Sequence, residues 1–192
     1  QHINPLIQMN IAKEQLLVLV NENDEPLGLM EKMEVHQKAL LHRAFSVFLF
    51  NSKGEMLLQR RALEKYHSGG LWTNTCCSHP YPDETPSQAA TRRMREELGF
   101  ETTVEPAFSF IYKAALDNEL TEYEFDHVLI GEYDGPVFPN KDEVVDYCYM
   151  NMDALRENMA NHPGNYTEWF KIALPMLEEY LDTNNAISNE NH

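Results

Sequence analysis

Two cysteines stand side by side in LWTNTCCSHPYPDE, Leu71 to Glu84, and His79 follows two residues after Cys77. Such a set could form a metal clip, a disulfide, or a thiol that moves protons. Cys76, Cys77 and Cys148 are an odd number of thiols, and adjacent cysteines pair with each other only through strained geometry. Reduced thiols in a reducing compartment are the plainer reading. No C-x-x-C is present, so a four-thiolate zinc site is excluded. A further use of Cys77 stays open.

Carboxylates and imidazoles elsewhere could hold a cation. In TEYEFDHVLIGEY, the two-residue period of a strand puts Glu122, Glu124 and Asp126 on one face, with Tyr123, Phe125 and His127 on the other. Three acids on one face repel. Either the strand is a solvent-exposed edge, or Glu122 and Glu124 share a divalent metal that offsets the repulsion. His36, His42 and His79 supply nitrogen, although a single histidine is more often a surface or satisfied side chain than a ligand. Together they make a nitrogen-and-oxygen set suited to zinc, manganese or iron, with magnesium possible.

Charges near the cysteine loop extend the pattern. Glu96 and Glu97 close a helical segment where the dipole disfavours negative charge. They either pair with Arg92 and Arg93, four residues earlier, or point at a cation. The stretch LLQRRALEKYHSGG brings Arg60, Arg61 and Lys65 together. It is either a charged strand end or a cationic pocket for an anionic group, and guanidinium forks suit phosphate.

These residues need elements to carry them. Alternation and β-branched or aromatic enrichment predict strands at 15–20, 43–50, 55–60, 104–112, 122–133 and 144–150. Asn51 to Gly54, NSKG, reads as a hairpin turn between the second and third of these. A helix follows the cysteine loop: Thr85 caps it, Pro86 takes its first position, Gln88 completes a capping box and Gly99 ends it. Further helices are expected at 152–160 and 166–181, the latter kinked by Pro175. The segment 183–192 reads as a polar, flexible tail after a single domain over 1–182. Strands on both sides of a central helix, then C-terminal helices, indicate an α/β domain in which helices cover a mixed sheet.

Composition narrows the class. The 192 residues are 43% hydrophobic, enough for one domain with its own core. A formal net charge of −16 repels nucleic acid and anionic membrane, so neither is an expected partner. The N-terminal QHINPLIQMNIAKEQLLVLVNENDE has no basic region, and its one apolar run, Leu16 to Val20, is too short for a signal or membrane segment. A cytoplasmic protein is the expectation.

Residues Ser78 to Phe100 resemble the Nudix box, G-x5-E-x7-R-E-U-x-E-E-x-G-U, with U a bulky apolar residue. Glu84, Arg92, Met94, Glu96, Glu97, Gly99 and Phe100 match in register, whereas Ser78 replaces the first glycine and Arg93 the first glutamate of the R-E pair. In Nudix hydrolases those carboxylates hold magnesium against a diphosphate, so the departures argue against hydrolysis. LLHRAFSVFLFN, MLLQRRALEKYHSGGLWTNTCCSHP, RRMREELG and TEYEFDHVLI together are similar to the type I isopentenyl-diphosphate isomerases, over about Leu27 to Trp169.

That resemblance implies a Nudix-like α/β/α sandwich and an intramolecular double-bond isomerase in isoprenoid precursor biosynthesis. By residue matching it implies Cys77 and Glu124 as the acid/base pair, with Tyr112 supporting the glutamate. It implies His36, His42, His79, Glu122 and Glu124 as ligands of manganese, zinc or magnesium, without a flavin. Glu97, with the Cys77 carbonyl, is expected to place a magnesium ion on the diphosphate. Lys32, Arg61, Lys65 and Arg93 are expected to contact the diphosphate, and Trp169 to cover the prenyl group. The expected partner is a small prenyl diphosphate, and the expected state a monomer or weak dimer. The competing readings are a Nudix hydrolase of a nucleoside diphosphate derivative and a non-catalytic metal-binding domain on the same fold.

Overall fold

The computed structural model describes residues 12–190. The first eleven residues, part of the stretch read above for a signal segment, lie outside the described residues. The chain runs β1 (Leu16–Val20), β2 (Pro26–Glu31), α1 (Lys32–Lys38), β3 (His42–Phe50), β4 (Met56–Arg61), β5 (Trp72–Thr73), β6 (Cys76–Ser78) and α2 (Pro86–Leu98). It continues through β7 (Val104–Ala115), β8 (Thr121–Glu132), β9 (Val144–Met150), α3 (Met152–Asn161) and α4 (Glu168–Glu190).

β3 is the hub. It pairs in parallel with β8 and antiparallel with β1, β4 and β6, and β7 lies antiparallel on the far side of β8. β8 is therefore an interior strand, and the exposed-edge reading of its three acids is overturned. The mixed sheet carries a core on each face. Phe45, Val47 and Leu49 of β3 pack with Ala89, Ala90, Met94 and Leu98 of α2 on one side. Phe48 of β3, Met56 and Leu58 pack with Leu155 of α3 and Trp169, Phe170, Leu174 and Leu177 of α4 on the other. Strand alternation thus builds the α/β/α sandwich from one central sequence, FSVFLF.

Local signals are realised where they are strong. Thr85 Oγ1 accepts from the Gln88 amide at 3.2 Å and Gln88 Oε1 accepts from the Thr85 amide at 2.9 Å, which completes the capping box of α2. Gly99 ends it at φ 72°, where a Cβ would come within 2.8 Å of the Phe138 carbonyl. In the β3–β4 turn, Asn51 Oδ1 accepts from the amides of Lys53 and Glu55, and Gly54 takes φ 75°.

Four elements lie outside the strands and helices expected from the sequence, among them the two-residue β5. α1 is only seven residues, is capped by the Glu31 carboxylate and ends at Ala39 with φ 53°, so the usual serine, threonine or glycine signals are missing. β2, PLGLME, contains proline and glycine, and β6 is three residues long. The last helix is longer than expected: α4 has Pro175 inside it and extends to Glu190, through most of the segment read as a tail.

Candidate active site

Three neighbouring strands set the positions of the chemical groups. β3 lies between β6 and β8; Ser46 is opposite Cys77, and His42 is opposite Glu124. On β8 the alternation holds: Glu122, Glu124 and Asp126 are buried, while Tyr123, Phe125 and His127 are partly exposed. Tyr112 of β7 sits opposite Glu124. A cleft is lined by Cys77, His79, Glu122, Glu124, Tyr112 and Trp169, together with the cations Lys32, Arg61, Lys65 and Arg93 and the carboxylate of Glu97.

The imidazoles converge behind it. Ring centroids of His42 lie 5.1 Å from His36 and 5.0 Å from His79, and those of His36 and His79 are 5.9 Å apart. His36 Nδ1 meets the Lys32 carbonyl at 2.7 Å and His42 Nδ1 meets the Leu40 carbonyl at 2.9 Å. A carbonyl accepts only, so each Nδ1 carries the hydrogen and each Nε2 presents a lone pair. Both Nε2 atoms, and Glu122 Oε2, are buried without a hydrogen-bond partner. Burial holds the His42 pKa down at about 3 and drives that of His79 well below the usual histidine value, with His42 adding to it. The rings are neutral and ready to coordinate.

Ligand atoms of His36, His42 and His79 lie within 4.8 Å of one another, as do those of His79, Glu122 and Glu124. His79 Nε2 is 3.8 Å from Glu124 Oε2. Among the described residues neither Glu122 nor Glu124 pairs with a lysine or arginine, and orphaned lone pairs beside two such carboxylates fit a divalent metal, which would supply the missing positive charge. Burial first, and then the charge of Glu122, push the Glu124 pKa well above the ordinary carboxylate range. Tyr112 Oη donates to Glu124 Oε1 at 2.7 Å.

The thiols divide. Cys76 is fully buried, and its Sγ donates to Glu97 Oε2 at 3.1 Å. Cys77 lines the cleft, with Asn74 Oδ1 at 2.9 Å and Ser46 Oγ at 3.5 Å from its sulfur. Burial, then the nearby Asp126, push its pKa up to about 12, so it rests as a thiol. All three cysteines are free.

The charged helix end resolves into two roles. Glu96 stays half exposed and takes Arg93 at 2.7 Å and Arg92 at 3.4 Å. Glu97 turns inward: Oε1 accepts from Arg93 at 2.6 Å, and Oε2 accepts from Gln59 at 3.0 Å. Glu84, left without a role by the sequence, pairs with Arg92 at 2.8 and 2.9 Å and accepts from the Tyr81 amide at 2.7 Å. It braces the loop that leads into α2.

Not every candidate enters the cleft. Arg60 donates to the Gly70 carbonyl at 2.9 Å on the exposed side. Arg61 is held by the carbonyls of His67 and Ser68, with its guanidinium 5.1 Å from the Trp169 ring. Lys65 pairs with Glu143, and Lys32 lies 4.2 Å from the ring of Tyr66. Ser46, Tyr66 and His67, not among the candidates expected from the sequence, also line the cleft. A lone serine in the apolar run FSVFLF was a usable signal; His67 had none beyond its place in the basic stretch.

The NUDIX domain family matches residues 40–170 of this chain. An isopentenyl-diphosphate Delta-isomerase 2 of Photorhabdus laumondii is 51% identical over 158 residues, which cover 82% of this chain and 89% of that protein. An isopentenyl-diphosphate Delta-isomerase of Burkholderia multivorans is 45% identical over 172 residues, covering 87% and 98%. Among solved structures, a Deinococcus radiodurans protein aligns with TM-score 0.64 at 24% identity, over 76% of this chain and 89% of its own, which is a likeness of fold. With family, relatives and fold in agreement, the chain belongs to the Nudix superfamily and, within it, to the isopentenyl-diphosphate Delta-isomerases.

Proposed function

We propose that this protein interconverts isopentenyl and dimethylallyl diphosphate, with Cys77 and Glu124 as the two proton-handling groups. The reaction adds a proton at one end of the allylic unit and removes one from the other, so atoms balance without a redox partner. The observation that carries the reading is one cleft lined by a protonated thiol, a carboxylate and four cations. Lys32, Arg61, Lys65 and Arg93 would bind the diphosphate and hold the prenyl group in place. Trp169 would offer an aromatic face to a developing tertiary cation and exclude water from it.

His36, His42, His79, Glu122 and Glu124 would hold zinc, manganese or magnesium, and Tyr112 would orient Glu124. When bound, that metal supplies positive charge that fixes Glu124 and tunes its proton affinity. Glu97 would serve the magnesium that accompanies the diphosphate. Arg93, in place of a Nudix glutamate, supports diphosphate grip over hydrolysis. A reducing, cytoplasmic setting suits the free Cys77.

Incubation with isopentenyl diphosphate and magnesium, followed by product analysis, tests the reading. Dimethylallyl diphosphate is expected; release of phosphate instead would contradict it. Cys77→Ala and Glu124→Gln should each abolish conversion while circular dichroism stays native, and a fully active Cys77→Ala would sink the assignment.

A further inference from the structure

Asp126 is 1% exposed, and its Oδ1 is buried with no hydrogen-bond partner. Its Oδ2 accepts from Ser46 Oγ at 2.7 Å. A carboxylate kept out of water for the sake of one hydroxyl costs more than that hydrogen bond returns. The proposed function leaves it without a task, although it is the third acid of the face that holds Glu122 and Glu124.

Its location connects it to the thiol. Asp126 is opposite Ala44 on β3, and Ser46, the next residue on that face, is opposite Cys77 on β6. Cys77 Sγ, Ser46 Oγ and Asp126 Oδ2 therefore form a chain across three adjacent strands, with links of 3.5 and 2.7 Å. Because the Ser46 hydrogen is committed to Asp126, the serine oxygen turns a lone pair toward the sulfur. Asn74 closes the other side. Its Nδ2 donates to the Val47 carbonyl at 3.0 Å, which aims Oδ1 at the sulfur at 2.9 Å. The thiol hydrogen faces two acceptors. Without the carboxylate the serine hydroxyl is free to rotate, and one acceptor is lost.

We propose that Asp126 is a positioning residue for Cys77, acting through the Ser46 hydroxyl to fix the sulfur and its hydrogen on the cleft wall before substrate binds. This rests on the isomerase reading. It goes beyond it by adding Ser46 and Asp126, two residues that act through the thiol and not as proton-handling groups.

The test compares Ser46→Ala, Ser46→Thr, Asp126→Ala and the Ser46→Ala/Asp126→Ala double variant with the parent enzyme, all loaded with the same metal. Each alanine variant should lose about ten-fold or more in kcat, with KM for isopentenyl diphosphate, pyrophosphate affinity and bound metal little changed. The double variant should be no worse than the poorer single one, because the two groups act in series. Ser46→Thr, which keeps the hydroxyl, should recover most of the rate. Multiplying losses, a rise in KM alone, or a fall in kcat that tracks lost metal would overturn the proposal. Should Asp126→Ala fail to fold, the Ser46 pair decides: equal rates for Ser46→Ala and the parent would also overturn it. An inactive parent enzyme, or a fully active Cys77→Ala, would instead condemn the isomerase reading itself.

Discussion

Tyr112 Oη donates to Glu124 Oε1 at 2.7 Å across a directly opposed pair of the β7–β8 ladder. Both side chains are buried, and burial drives the tyrosine pKa well above its usual value, so the phenol stays a donor. Partners of this kind typically carry about 10- to 100-fold in metal affinity or activity. Tyr112→Phe should lower kcat in that range with little effect on KM. Steady-state kinetics on isopentenyl diphosphate would show it, and an unchanged kcat would leave the tyrosine a packing residue.

The unpartnered Nε2 atoms of His36 and His42 predict metal-dependent stability as well as activity. Exhaustive chelation should abolish turnover reversibly and lower the thermal midpoint, since an ion that binds only the folded state stabilises it by mass action. His36→Ala and His42→Ala should each lose stoichiometric metal by plasma emission spectroscopy. Retention of a full equivalent of zinc or manganese by both would contradict this ligand set.

Lys32 sets a pH limit. Burial first, then the charges of Lys65, Arg93 and Arg61, bring its pKa down from 10.5 to about 8. In the free enzyme it loses its charge as pH rises through about 8, so kcat/KM for a diphosphate should fall there. Lys32→Arg should move that limb to higher pH. Stability runs the other way: between pH 8 and 10.5 the folded chain binds fewer protons at Lys32 than the unfolded chain. The cost of burying the charge is thus present below that window and relieved as pH rises through it.

Glu84 and Arg92 form a two-bond pair at 2.8 and 2.9 Å, and the guanidinium lies 3.6 Å from the Tyr81 ring. Glu84→Gln should destabilise the fold by about 1–2 kcal/mol. Urea unfolding with an unchanged slope would measure it. A shift in midpoint without any change in pyrophosphate affinity is expected, because the pair holds the loop and not the ligand.

Much of this protein is already present in its residue order. The helix over Pro86–Leu98 follows from a capping box, a proline and a glycine, which act within a few residues. The face shared by Glu122, Glu124 and Asp126 follows from the two-residue strand period, and the family follows from the spacing of the cysteine loop and E-x-E. Local signals could not say that β8 is interior, because strand order depends on contacts between β3 and residues some eighty positions later. Nor could they bring His36, on an unmarked seven-residue helix, beside His42 and His79. Only the tertiary structure turned Glu97 inward and Glu96 outward, paired Glu84 with Arg92, and linked Cys77 through Ser46 to Asp126. Sequence period decides which face a side chain occupies. Which other face it meets is decided by packing the whole sheet.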